Sequence, residues 1–329
     1  MITALRRHAW RAALIALIGS LLPAAAAAQE RFVFLTNWYA QAEHGGFYQA
    51  LAEGSYRKAG LDADIRMGGP QVNVMQLLLA GKADAVMGTD LQTLSGVEQG
   101  LPLVTVGAVF QKDPASLIAH PDVQRMEDLK SRTLLIGQTS ETTFWPWLRS
   151  RYGFTDAQKR PYAFSVQPFL ADRKLAQQGY ATSEPYSIEK AGVKPTVFLL
   201  ADLGYPPYAQ TIVTTRAVLE KRRDALQRFL RATAEGYRSY LTNPAPGNAL
   251  IRKANPDIEE GLLAYGVDRM KAFGLVSGGD AARDGILVMT DARWKATFDF
   301  MVGARLARSD TDYRKAYTLD LVKPLRVLP

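Results

Sequence analysis

Residues 34–48, FLTNWYAQAEHGGFY, concentrate side chains able to hold a flat, polar molecule. An apolar run ends in Asn37, Trp38 and Tyr39, and Gly45 and Gly46 then open a predicted helix, so a strand delivers these groups to a helix N-terminus. Trp38 and Tyr39 offer faces for stacking, about 0.5–1.5 kcal/mol per aromatic pair beyond area burial, unless one of them is core. Asn37 both donates and accepts, which suits a ring nitrogen beside an amine; a turn or cap uses the same atoms. His44 is a ligand contact or a cap. A second group follows in residues 179–186, GYATSEPY. There Glu184, followed by Pro185 and Tyr186, can accept two parallel hydrogen bonds from an amine and an adjacent ring N–H, or it complements the dipole of the helix it opens. A buried carboxylate there would disfavour a sulfonate, nitrate or phosphate. In Phe144, Trp145 and Trp147, helical spacing pairs the first with the third and turns Trp145 to another face, where it could close on a ligand. Thr89, Asp90, Gln111 and Gln138 sit at strand ends that favour polar contacts or helix caps.

These groups need elements to carry them. RFVFLTN, ADIRM and ADAVMG read as strands, and residues 46–59 and VNVMQLLLAG as helices, a βαβαβ rhythm with a mostly parallel sheet. LPLVTVGAVFQ is a further strand, and Lys112, Asp113 and Pro114 mark a crossing into a second α/β unit. In that unit TLLIG and TVFLL read as strands, and ETTFWPWLRSRYG and PFLADRKLAQQG as helices. QTIVTTR reads as the return crossing. Amphipathic helices are expected over 218–241, 258–273 and 291–305, with the tail packing back on the first unit. Two α/β lobes joined by two crossings make a hinged cleft, with lobe I over residues 29–111 and 216–329 and lobe II over 112–215.

The beginning of the chain sets the compartment. Arg6, Arg7 and Arg11 precede an apolar segment over 12–22, then Pro23 and a run of alanines, the pattern of a cleavable signal peptide over residues 1–28. Removing it takes three arginines and no acids, lowering the formal charge from +8 to +5 over 301 residues. No Lys/Arg-rich stretch dominates, so nucleic acid is not expected as a partner. There are no cysteines, hence no disulfide, thiol nucleophile or lipid-anchoring cysteine. The expected product is a free periplasmic protein acting as a monomer. No cluster of His and carboxylates at ligand spacing suggests a metal, and no cofactor is expected. G-x-S-x-G, P-loop and H-E-x-x-H motifs are missing, so no catalytic residue is assigned.

NWYAQAEHGGFYQAL, QLLLAGKADAVMGTD, TFWPWLRSRYG and GYATSEPY resemble the periplasmic substrate-binding proteins of ABC importers. The similarity is to the branch of the thiamine-pyrimidine-precursor binders and the fungal pyrimidine synthase, and it runs from about Arg31 to Leu241. LLLAGKADAVMG carries fold information only; the NW(Y) opening with SEPY is the more specific part. The resemblance implies the two-lobed periplasmic binding protein fold (type II), cleft closure on a ligand and delivery to a membrane permease. It implies a planar heterocycle, first a thiamine pyrimidine precursor, and the residues expected to hold it from their own chemistry are Asn37, Trp38, Tyr39, His44, Thr89, Gln138, Trp145, Glu184 and Tyr186. Riboflavin, a sulfonate or nitrate, a role in sensing, and a pyrimidine-synthase-like activity stand as alternatives; the fungal enzyme depends on histidine and cysteine, and this chain has no cysteine.

Overall fold

The computed structural model describes residues 29–69 and 71–329, so the expected signal peptide lies outside the described residues. The strands in chain order are β1 (Glu30–Leu35), β2 (Leu61–Arg66), β3 (Ala85–Gly88), β4 (Leu103–Phe110), β5 (Ala115–Ala119), β6 (Thr133–Ile136), β7 (Lys159–Pro161), β8 (Leu175–Tyr180), β9 (Thr196–Leu199) and β10 (Ala209–Thr215). They form two five-stranded sheets, ordered β2-β1-β3-β10-β4 and β7-β6-β8-β5-β9. In each sheet one strand runs against the rest, β10 in the first and β5 in the second. Each reversed strand is the one the chain enters on arriving from the other sheet. Ala209 therefore pairs with Phe110 at the carboxyl end of β4, and Ala115 with Tyr180 at the carboxyl end of β8. The strand ends and both crossings, residues 111–114 and 200–208, thus gather along one edge of each sheet. Ligand-binding crevices of open α/β sheets lie at such edges.

One side chain ties the crossings together. Arg293, on the helix Asp291–Gly303, donates to the carbonyl of Gln111 at 2.9 Å and to that of Pro206 at 3.1 Å, with its guanidinium 4.3 Å from the Tyr208 ring centroid. Asp90 fixes the same region by accepting from the Tyr208 N–H at 2.9 Å and the Thr297 hydroxyl at 3.1 Å.

Several elements differ from their sequence-based expectation. Residues 168–179 are not one helix: Gln167–Ala171 is helical, and the following residues form β8, central in the second sheet between β6 and β5. Its glutamines, which look like a polar helix face, are used internally; Gln178 Oε1 accepts from the Gly137 N–H at 2.5 Å and the Ser140 hydroxyl at 2.8 Å. Residues 210–216, expected as the return crossing, fall instead in β10 of the first sheet, with Arg216 opening the helix that follows. Gly54, at φ 70°, divides the first expected helix into Gly45–Ala52 and Ser55–Lys58. Residues 218–241 likewise divide at Arg222 into Arg216–Lys221 and Arg223–Thr242, and a further helix, Ala245–Ala254, follows. Among the described residues no helix is long and apolar enough to cross a membrane.

The helix Arg223–Thr242 closes the first lobe over the strand that carries the aromatic stretch. Phe229 stacks on Phe32 at 4.4 Å and on Tyr56 at 5.1 Å, and Phe34 stacks on Phe47 at 4.4 Å. Close approach is possible because Gly45 and Gly46 face aromatic rings: a Cβ on Gly45 would lie 2.0 Å from the Tyr240 ring, and one on Gly46 2.1 Å from that of Tyr237. The glycine pair thus serves helix packing. In Gly46→Ala the overlap, about 1–3 kcal/mol of strain, outweighs the roughly 1 kcal/mol that alanine adds to a helix, so the urea midpoint should fall; an unchanged midpoint would show that the helices separate freely here.

Candidate functional site

The carboxyl edge of the first sheet presents the aromatic stretch. Trp38 is half-buried, and its ring lies 5.6 Å from that of Tyr39, which is 44% exposed. On its other side, at 5.2 Å, stands Phe164 of the second lobe. Phe164 is 54% exposed at φ 55°, an uncommon backbone state for a bulky residue. Between Ala163 and Ser165 in a stretch outside any helix or strand, it carries no periodic signal in the sequence, yet its ring stands beside that of Trp38. Behind it Tyr162, 5.3 Å away, donates to Glu184 Oε1 at 3.3 Å.

Glu184 opens the helix Glu184–Lys190 with Pro185 in its first turn. Its Oε2 accepts from the Tyr180 N–H at 2.8 Å and the Ser183 hydroxyl at 2.8 Å, so the carboxylate is held over its own turn. The helix-start role of this residue is therefore seen directly, and the Tyr162 hydroxyl on Oε1 sets the carboxylate behind Phe164. Burial raises its pKa against those hydrogen bonds.

Glu43, inside the aromatic stretch, has no local sequence pattern that marks it as a site residue. It belongs to the single turn Ala42–His44, is 2% exposed, and accepts a hydrogen bond from Thr182 of the second lobe. Burial pushes its pKa up to about 7, opposed by the Thr182 hydroxyl and assisted by the charge of Glu184. Nearby Asp113, at the first crossing, is raised to about 7, also chiefly by burial. Asp90 is raised to about 6 for the same reason. Among the described residues neither Glu43 nor Glu184 has a Lys, Arg or His ion-pair partner. These two carboxylates thus stand without a paired cation, although Lys190 and Glu259 pair across the lobes at their exposed rim. Among the described residues Asn37 Oδ1, beside Trp38, and Gln177 Oε1, whose amide reaches Tyr162, are buried without partners, as are Tyr48 Oη and both ring nitrogens of His44. The His44 imidazole is fully buried, and burial lowers its pKa to about 3, leaving it neutral.

The other sequence candidates are placed differently. Thr89 caps the helix Asp90–Glu98 in a reciprocal pair with Gln92, at 3.2 and 3.1 Å, so its polar atoms are engaged at the strand edge. Trp145 is 2% exposed inside the second lobe, stacked on Phe154 and donating its indole N–H to Asp156 at 2.8 Å. Gln138 is exposed on the short helix Gln138–Thr142. Tyr186 reaches the first lobe, donating to Glu259 at 3.2 Å and tilting against Tyr265 at 5.8 Å. Trp38, Tyr39 and Glu184 are thereby gathered near Phe164, Tyr162 and Glu43, whereas Trp145, Gln138 and Tyr186 have other surroundings. Two surface concavities, one beside Glu98 and Arg308 and one beside Gln29 and Tyr56, are lined by none of these residues.

The raised acids set a pH dependence. Glu43 titrates near 4.5 when exposed and near 7 when folded, so the folded state holds an extra proton between those values and stability falls as pH rises through that window. His44 works in the opposite direction below about 6.5, so the telling quantity is the difference from a variant. Between pH 5.5 and 7.5, Glu43→Gln should lose about 2 kcal/mol less unfolding free energy than the wild type, measured by urea denaturation; parallel profiles would place Glu43 in water.

The sequence model of the family described as NMT1/THI5 like matches residues 41–246. A riboflavin-binding protein of Chloroflexus aurantiacus is 25% identical over 291 residues, 84% of this chain and 81% of that protein. A formylaminopyrimidine-binding protein of Halalkalibacterium halodurans is 23% identical over 262 residues, 74% of this chain and 79% of its own. Among solved structures, the periplasmic aliphatic sulphonate binding protein of Escherichia coli superposes with a TM-score of 0.63 at 15% identity, over 87% of this chain and 91% of that one. At that identity the likeness establishes the fold, which is that of the periplasmic binding proteins.

Proposed function

Since the chain belongs to the NMT1/THI5-like family, we propose that it is the solute-binding component of an ABC importer, working in the periplasm and capturing a planar, N–H-donating heterocycle by closure of its two lobes. The first ligand class is the aminopyrimidines that serve as thiamine precursors. The observation that carries this reading is the pairing of an aromatic wall, Trp38 with Phe164, with two buried carboxylates, Glu43 and Glu184, that lack a cationic partner. An aminopyrimidine matches both halves: its ring stacks, and its exocyclic amine and protonated ring nitrogen donate to a carboxylate. A sulfonate matches neither. Beside an ionised carboxylate about 5 Å away it would meet roughly 3 kcal/mol of repulsion at an effective dielectric of 20.

Riboflavin is the second reading, favoured by the riboflavin-binding relative, which covers more of this chain than the aminopyrimidine binder does. Its ring system is also flat and would use the aromatic lip at Tyr39 and Phe164, while offering the carboxylates fewer donors. Closure shifts a population toward the closed form by the ligand's differential affinity for it, and the closed form is what a permease would recognise. No catalytic residue is part of the proposal.

Calorimetry of the purified protein with hydroxymethylpyrimidine, formylaminopyrimidine, riboflavin, taurine and nitrate tests the reading. An aminopyrimidine should bind most tightly, and binding of taurine or nitrate alone would overturn the proposal. Trp38→Ala should weaken the bound heterocycle roughly tenfold, the scale of one lost stacking partner with its buried area. An affinity unchanged by Trp38→Ala and by Phe164→Ala together would remove the aromatic wall from the site.

A further inference from the structure

Glu43 leaves the first lobe through the turn after β1, and its hydrogen bond from Thr182 is, among the described residues, the buried side-chain link between the lobes. Glu184 follows Thr182 by two residues, so the Thr182 bond brings the turn of the first lobe to the helix start of the second that carries Glu184. Among the described residues the remaining polar surroundings supply no ion pair to either carboxylate. The Tyr237 hydroxyl donates to the Glu43 carbonyl at 2.8 Å, and Tyr240 on the same helix and Tyr180 on β8 feel the Glu43 charge. Among the described residues Thr182 is the side chain that hydrogen-bonds the carboxyl, and neighbouring His44 is neutral. From the helix Glu260–Ala272, packed on this turn, Arg269 lies over the Tyr265 ring at 4.9 Å and pairs with no carboxylate, while Asp268 and Lys271 are exposed. Gln177, fully buried, donates to the Tyr162 hydroxyl at 3.4 Å and keeps its Oε1 unpartnered in the Glu184 network.

We propose that Glu43 is a specificity-determining residue of this cleft: paired with Glu184 across the lobes and aimed by Thr182, it selects ligands that bring N–H donors or positive charge and rejects anions. The inference rests on the ligand class proposed above and adds the residue that enforces it. As the lobes close, Glu43 leaves water, and its carboxylate must either take a proton or meet a donor on the ligand. A donor-rich ring replaces that proton. An anion requires the proton to be kept, so its affinity falls as pH rises through neutrality, whereas that of a donor ligand does not.

The test compares wild type, Glu43→Gln and Thr182→Val by calorimetry at pH 6.0 and 7.5, with hydroxymethylpyrimidine, riboflavin and taurine as probes, after thermal unfolding shows each variant folded. Glu43→Gln should weaken the heterocycle that the wild type binds by at least tenfold at pH 7.5, and should bind taurine better than the wild type does. Thr182→Val should lose affinity while keeping the wild-type order of ligands. If the wild type binds riboflavin and no pyrimidine, the ligand assignment fails while the Glu43 claim stands on the riboflavin loss. Binding of the heterocycle within twofold of wild type in Glu43→Gln overturns the claim. A ligand-free readout decides independently: small-angle scattering should show the wild type more compact at pH 5.5 than at pH 8, and Glu43→Gln equally compact at both. The same pH response in both proteins would overturn the role of Glu43.

Discussion

A buried carboxylate with no cationic partner is a demanding feature in any fold, and here two of them, Glu43 and Glu184, meet where the lobes meet. Ionised, unpaired and out of water, such groups cost several kcal/mol each. The surrounding structure must therefore keep them protonated, solvate them with hydrogen bonds, or leave a place for a ligand that neutralises them. The backbone N–H of Tyr180 and the hydroxyls of Ser183, Tyr162 and Thr182 do the second in part. The rest is the chemistry that selects the ligand.

Topology puts the carboxylates there. Because β5 and β10 reverse direction as the chain changes lobe, the carboxyl edges of both sheets turn toward the two crossings. The turn after β1 and the helix start after β8 then stand opposite each other. The dense packing of the helix Arg223–Thr242, permitted at Gly45 and Gly46, fixes the first of these edges, and Arg293 fixes the crossings. Function sits on the edges and rigidity behind them, the usual division in α/β binding proteins.

Much of this was legible in residues. Strand β1 and its aromatic terminus were evident from an apolar run that stops at Asn37, and the second lobe announced itself at Pro114. What stayed hidden has physical causes. Strand β8 carries two glutamines whose hydrogen bonds are tertiary, so its local pattern reads as a polar helix face. Strand β10 belongs to the first sheet only because β3 and β4 leave room for it between them. Trp145 looked like a ligand contact because aromatic content does not reveal which face of a helix is buried. Phe164 and Glu43 gain meaning from what stands across the cleft, at sequence separations that no local pattern encodes.

The most direct measurement is the structure of the protein crystallised with an aminopyrimidine. The account predicts the ring against Trp38 and Phe164 with its amine and ring N–H directed at the carboxylates of Glu184 and Glu43, and the lobes closed around it. A ligand bound outside the facing sheet edges, or one that turns a ring edge without N–H donors toward those carboxylates, would contradict it.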